Sequence, residues 1–98
     1  MQRRNNIQKP ALGAAAIILN NDRILIGQRL SEPQSMSWQL PGGWVREGQT
    51  PEQVIEHLIR QFPDIKCTEL NCVAYTNNFF DHGAHSMSLY FRTNCINA

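Results

Sequence analysis

Ninety-eight residues, 42% apolar and 17% charged, describe one small globular domain and exclude a disordered chain. A formal net charge of +1 offers no electrostatic footprint for nucleic acid or an anionic membrane surface. At this length folding removes only about 60–65% of the unfolded surface from water, so the core is modest.

The chain opens on a basic segment with Arg3, Arg4 and Lys9, read as a flexible tail over residues 1–10. The apolar run Ala11 to Leu19 could be the hydrophobic part of a signal peptide. It is too short to span a bilayer, and no small-residue cleavage pattern follows it. Instead "NNDRILIGQR" continues it as a hairpin. "GAAAIIL" (13–19) and "RILIGQR" (23–29) are the two strands, and Asn20 to Asp22 the turn, because Asn and Asp tolerate left-handed backbone angles. Residues 30–37 form a polar loop broken by Pro33. "WQL" (38–40) is a short strand that Pro41 and Gly42-Gly43 end.

The next stretch predicts a helix from Pro51 to Phe62. Thr50-Pro51-Glu52-Gln53 has the pattern of a capping box with proline in the first turn. Val54, Ile55, Leu58, Ile59 and Phe62 recur at helical spacing and form one apolar stripe, and Pro63 stops the helix. Two polar rows remain, Glu52-Glu56-Arg60 and Gln53-His57-Gln61. Beyond the helix, residues 65–80 read as one long, bent strand. "DHGAH" is a turn, and "SMSLYFRTNC" (86–95) is the returning strand. The order implies an α+β domain with a mixed or antiparallel sheet.

Three cysteines, Cys67, Cys72 and Cys95, leave one unpaired in any disulfide scheme, and none forms a Cys-x-x-Cys pair. A reduced, cytoplasmic setting fits that count best. His82 and His85 flank a turn at a spacing that suits a metal only weakly.

The run "WQLPGGWVREGQTPEQ", following a hairpin and preceding an amphipathic helix, resembles the Nudix hydrolases, and the likeness extends over about residues 12 to 95. Trp38, Leu40, Pro41, Gly42, Gly43, Gly48, Thr50, Pro51 and Glu52 stand where that family's box often has them. The ionic positions depart. The box's first Glu is Gln49, its Arg is His57, and the Glu beside that Arg is Leu58. Its Glu-Glu pair is Gln61-Phe62 and its closing Gly is Asp64, while Ile59 and Ile65 fit.

The resemblance implies a Nudix-like mixed sheet with one helix after the Pro-Gly-Gly loop, occupying residues 11–98. Family members usually continue with a further strand and a C-terminal helix, so it also implies a shortened domain. It implies a reaction too: carboxylates on one helix face hold Mg²⁺ or Mn²⁺ against a diphosphate, and the metal helps generate the attacking hydroxide. Leu and Phe offer no metal ligand, and a Gln amide is a weak one. Replacement ligands would be Glu52 and Glu56, one helical turn apart, with the Gly42 carbonyl, and these two glutamates are the catalytic candidates. Glu47 beside the loop is a further metal candidate, and His57 a candidate general base. Gly42, Gly43 and Arg46 are the phosphate-loop candidates. Gln39, Asn77, Phe79 and Tyr90 are candidates for a pocket holding the non-phosphate portion of a nucleotide-like ligand.

Three functions follow as expectations. The favoured one is a domain related to nucleoside-diphosphate-linked pyrophosphohydrolases, with impaired or absent catalysis and a nucleotide-like ligand. The others are an active Mg²⁺- or Mn²⁺-dependent hydrolase with non-standard ligands, and a non-functional shortened product. Apolar residues on both alternating sets of the strands, among them Ile17, Ile18, Leu25, Ile26, Leu89 and Phe91, predict a homodimer that covers the second sheet face.

Overall fold

The computed structural model describes residues 9–28 and 38–97. Strand β1 (Ala11–Asn20) turns through Asn21, whose φ is 57°, into the two-residue strand β2 (Arg23–Ile24). The pairing Asn20↔Arg23 is the tight hairpin expected from the Asn-Asp signal. The expected second strand is broken: Leu25 still donates its N–H to the Ile18 carbonyl at 3.0 Å, but beyond it the chain leaves β1, and β3 (Gly27–Gln28) pairs instead with β4 (Trp38–Gln39) in a separate ribbon. The expected polar loop 30–37 and all but the last two residues of the expected tail lie outside the described residues.

The short strand β4 stops at Gln39, ahead of Pro41 as expected, but the glycines themselves start a new strand. Gly42–Trp44 is strand β5, antiparallel to the start of β1 through Ala15↔Gly42, Ala14↔Gly43 and Gly13↔Trp44. The reason lies in packing. A Cβ on Gly42 would collide with the Ala14 carbonyl oxygen and sit 3.0 Å from Ala15 Cα, so glycine lets the two backbones approach. Helix α1 (Pro51–Ile59) follows, with both halves of the capping box formed: Gln53 N donates to Thr50 Oγ1 (3.1 Å) and Thr50 N to Gln53 Oε1 (2.8 Å). It ends three residues before Phe62, because Gln61 and Phe62 close shorter turns onto Leu58 and Ile59 as the chain approaches Pro63.

The long strand expected over 65–80 is two strands, β6 (Ile65–Cys67) and β7 (Asn71–Phe79), separated by Thr68 to Leu70 and with a bulge between Cys72 and Ala74. Both pair antiparallel with β8 (His85–Asn97), which also runs parallel to β1 from Ala11↔Ser86 to Leu19↔Asn94. The sheet is therefore mixed, with the order β2-β1-β8-β6 and β5 and β7 attached to β1 and β8.

Helix α1 lies on one sheet face. Val54 and Ile55 pack there with Ala14, Ala16, Ile18, Phe91 and Cys95, all buried, and Ile55 is fully so. Removing a side chain of that size from water stabilises by about 1.5–3 kcal/mol. Small alanines on β1 let the helix sit close to the sheet. Thr93, also buried, is satisfied by donating to the Thr68 carbonyl at 2.9 Å. Trp38, on β4, is 63% exposed.

The register also corrects the reading of reduced thiols. Cys67 and Cys95 are directly opposed on β6 and β8 and joined as a disulfide, while Cys72 is an exposed free thiol. Among the described residues, no helix is long and apolar enough to cross a membrane.

Candidate functional site

Strand β5 delivers the chain to the helix through a tight loop, and this junction builds an open groove of about 900 Å³. The loop is held locally. Gln49 N donates to the Arg46 carbonyl, Arg46 N donates to Gln49 Oε1, and Gly48 takes a φ of +81° that a side chain would resist. Gln49, at the position of the box's first Glu, thus fastens the loop with its amide.

The groove's loop wall brings together the three phosphate-loop candidates, Gly42, Gly43 and Arg46, with Glu47 and Gln49. Its helix wall is the row Gln53, His57 and Gln61, together with Leu58 and Arg60. Glu52 and Glu56 are exposed and do not line it. Of the two polar rows, Gln53-His57-Gln61 lines the groove along its length, and the other contributes Arg60 alone. The signal was present in the register of the box, since His57, Leu58 and Gln61 stand at its Arg and Glu positions.

That donor set does not fit a hard divalent cation. Among the described residues, Glu47 is the one carboxylate lining the groove. Among the described residues, no three His, Cys, Asp or Glu side chains come together in a way that could hold a metal ion. Mg²⁺ and Mn²⁺ take oxygen ligands in near-octahedral geometry, commonly one or two carboxylates with substrate phosphates and water, and a single carboxylate on an exposed loop is the least such a site could offer.

Leu58 and Gly42 also border a second cavity of about 420 Å³, whose wall is Leu25, Ile26, Leu40, Pro41 and Phe62 with Gln39 at its edge. Gln39 reaches a third, smaller hollow beside Trp44 and Ser88 as well. The other three pocket candidates lie elsewhere and do not converge. Asn77 and Phe79 pair with Met87 and His85, whereas Tyr90 pairs with Ala74, and strand alternation puts Tyr90 on the opposite face. Their contacts agree: Asn77 Oδ1 lies 3.0 Å from His85 Nε2, Phe79 stacks on the His85 ring at 4.3 Å, and the Tyr90 hydroxyl meets Thr76 Oγ1 at 3.3 Å. His82 stacks on Phe80 rather than joining His85 around an ion.

The profile of the NUDIX domain matches residues 9–95. The chain belongs to the NUDIX family. Its fold is similar to a MutT NUDIX hydrolase from Burkholderia pseudomallei, with 22% identity and a TM-score of 0.72 over 89% of this chain and 68% of that one. It is also similar to the NUDIX domain of Shewanella oneidensis NrtR, a structure complexed with ADP ribose, with 18% identity and a TM-score of 0.69 over 98% and 70%. A MutT/nudix family protein from Enterococcus faecalis is 17% identical with a TM-score of 0.72, and there 99% of this chain spans only 43% of the other. At these identities the likeness is one of fold. Within the NUDIX frame, the groove occupies the junction of the Gly-Gly loop and the box helix, and the box positions Leu58 and Phe62 wall the second, apolar cavity.

Proposed function

We propose that this NUDIX domain binds a nucleotide-like ligand and that its pyrophosphohydrolysis is impaired or absent. The observation that carries the reading is the groove itself: the loop and helix frame a cleft of about 900 Å³, yet among the described residues Glu47 is its one carboxylate and the helix wall is Gln53, His57, Leu58 and Gln61. A frame kept without the ligands for a hard metal suits binding better than metal-assisted hydrolysis. The ADP-ribose bound by the Shewanella NUDIX domain supports the ligand class.

The test is a phosphate-release screen over nucleoside di- and triphosphates and sugar nucleotides with Mg²⁺ or Mn²⁺, run beside calorimetric binding of ADP-ribose. Binding without turnover is the expected result. Metal-dependent turnover abolished by Glu56→Gln would overturn the reading in favour of an active hydrolase that uses Gly42, Glu52 and Glu56. A melting shift of several degrees on adding millimolar Mg²⁺ would point the same way, because a ligand of the native state stabilises by about 1.4 kcal/mol at ten times its Kd.

A homodimer belongs to the same proposal. Helix α1 covers one sheet face, and the register leaves Ala15, Ile17, Leu19 and Tyr90 together on the other. A second copy, related by a two-fold axis, would cover them. Light scattering should then report twice the 11.2 kDa chain mass, and a monodisperse monomer that binds no hydrophobic dye would end the idea.

A further inference from the structure

The charged side chains that do line the groove are Arg46 on the loop wall, Arg60 at the helix C-cap and Glu47. Among the described residues, two arginines stand against one carboxylate on this wall. A metal-dependent site has the opposite character. Its carboxylates repel a diphosphate until divalent cations are bound between them. Here two arginines line the cleft, and a guanidinium is a fixed charge with a planar fork of donors matched to phosphate oxygens.

The two arginines stand on different elements. Arg46 leaves the turn that Gln49 holds through paired hydrogen bonds, and Arg60 closes the last turn of α1 by donating its N–H to the Glu56 carbonyl at 3.1 Å. Their backbones are therefore fixed on two sides of one cavity. Leu58 and Gly42 connect that cavity to the apolar one bordered by Leu25, Leu40 and Phe62. A polar, cationic cleft continuous with an apolar hollow suits a diphosphate that carries a further group better than a free inorganic anion.

We infer that the groove binds a diphosphate ester directly through Arg46 and Arg60, without a divalent cation. The inference rests on the proposed ligand-binding function and names the groups that replace the metal. Hydrogen bonds to charged groups are worth enough that losing one guanidinium should weaken binding about tenfold or more. The contacts are exposed, so affinity should also fall as salt screens them.

The experiment is calorimetric titration of the full chain with ADP and with inorganic pyrophosphate, in EDTA and then in Mg²⁺. The variants are Arg46→Gln, Arg60→Gln and, as a control of equal charge change on the exposed face of β6, Lys66→Gln; the melting temperature of each is measured to confirm folding. Expected are equal ADP affinities in EDTA and Mg²⁺, tighter binding of ADP than of pyrophosphate, a loss of about tenfold in each arginine variant, and no loss in the Lys66 variant. ADP binding that requires Mg²⁺ would overturn direct recognition while leaving the ligand-binding function intact. Binding in EDTA that is indifferent to both arginines would overturn the assignment of residues. No binding of either probe would remove this inference; only failure of the wider nucleotide and ADP-ribose titrations as well would remove the function on which it rests.

Discussion

Replacing Gly42 with alanine separates two reasons for a glycine in the Gly-Gly pair. If the residue is there for a phosphate, a methyl group should impair binding and leave the fold alone. The geometry says otherwise. A Cβ at this position meets the Ala14 carbonyl oxygen inside van der Waals distance, Ala15 Cα at 3.0 Å and the Ala14 carbonyl carbon at 3.3 Å. All three are backbone atoms of β1, so no rotamer change relieves the clash. Strand β5 must move away, and the Ala16 N–H to Pro41 carbonyl bond (2.8 Å) and the Val45 N–H to Leu12 carbonyl bond (2.8 Å) flank the displaced segment. Overpacking of this kind costs about 1–3 kcal/mol. At about 2 kcal/mol, a domain of this size should melt roughly 8–16 °C lower. Gly43 provides the contrast, because a Cβ there would lie 3.4 Å from the Val54 Cγ1 methyl, an ordinary contact. Gly43→Ala should stay within about 1 kcal/mol of the parent. Thermal unfolding followed by circular dichroism measures both. A Gly42→Ala protein that melts within roughly 2 °C of the parent would refute the packing argument.

Thr50→Ala removes the side chain that accepts from Gln53 N in the capping box and should cost about 1 kcal/mol, visible as a lowered urea midpoint with an unchanged slope. The Cys67–Cys95 disulfide spans 28 residues, and closing a loop of that length restricts the unfolded chain by about 3–4 kcal/mol. Dithiothreitol should therefore lower the melting temperature of the parent. A Cys67→Ser variant, already destabilised, should show no further response to the reductant, and equal responses in the two would dismiss the bond.

The sequence by itself determined the helix and the first hairpin, because their signals are local. Thr50 and Gln53 cap each other three residues apart, the apolar stripe repeats within one element, and Asn21 turns the chain between adjacent strands. It also carried the family, through residues 38 to 52 of the loop and helix start, and it placed Gly42, Gly43 and Arg46 at the cleft that the fold builds. What depended on partners distant in sequence was decided only by tertiary structure. Gly42–Trp44 is a strand because β1, some thirty residues earlier, supplies its hydrogen-bond partners, and glycine is what fits there. Cys67 finds Cys95 only through the β6–β8 register. Tyr90 separates from Asn77 and Phe79 because strand pairing, not residue type, assigns the face. Both polar rows of α1 satisfy the same helical periodicity equally well. Packing of Val54 and Ile55 onto the sheet fixes the helix rotation, and that rotation turns Gln53, His57 and Gln61 into the groove while Glu52 and Glu56 remain outside it.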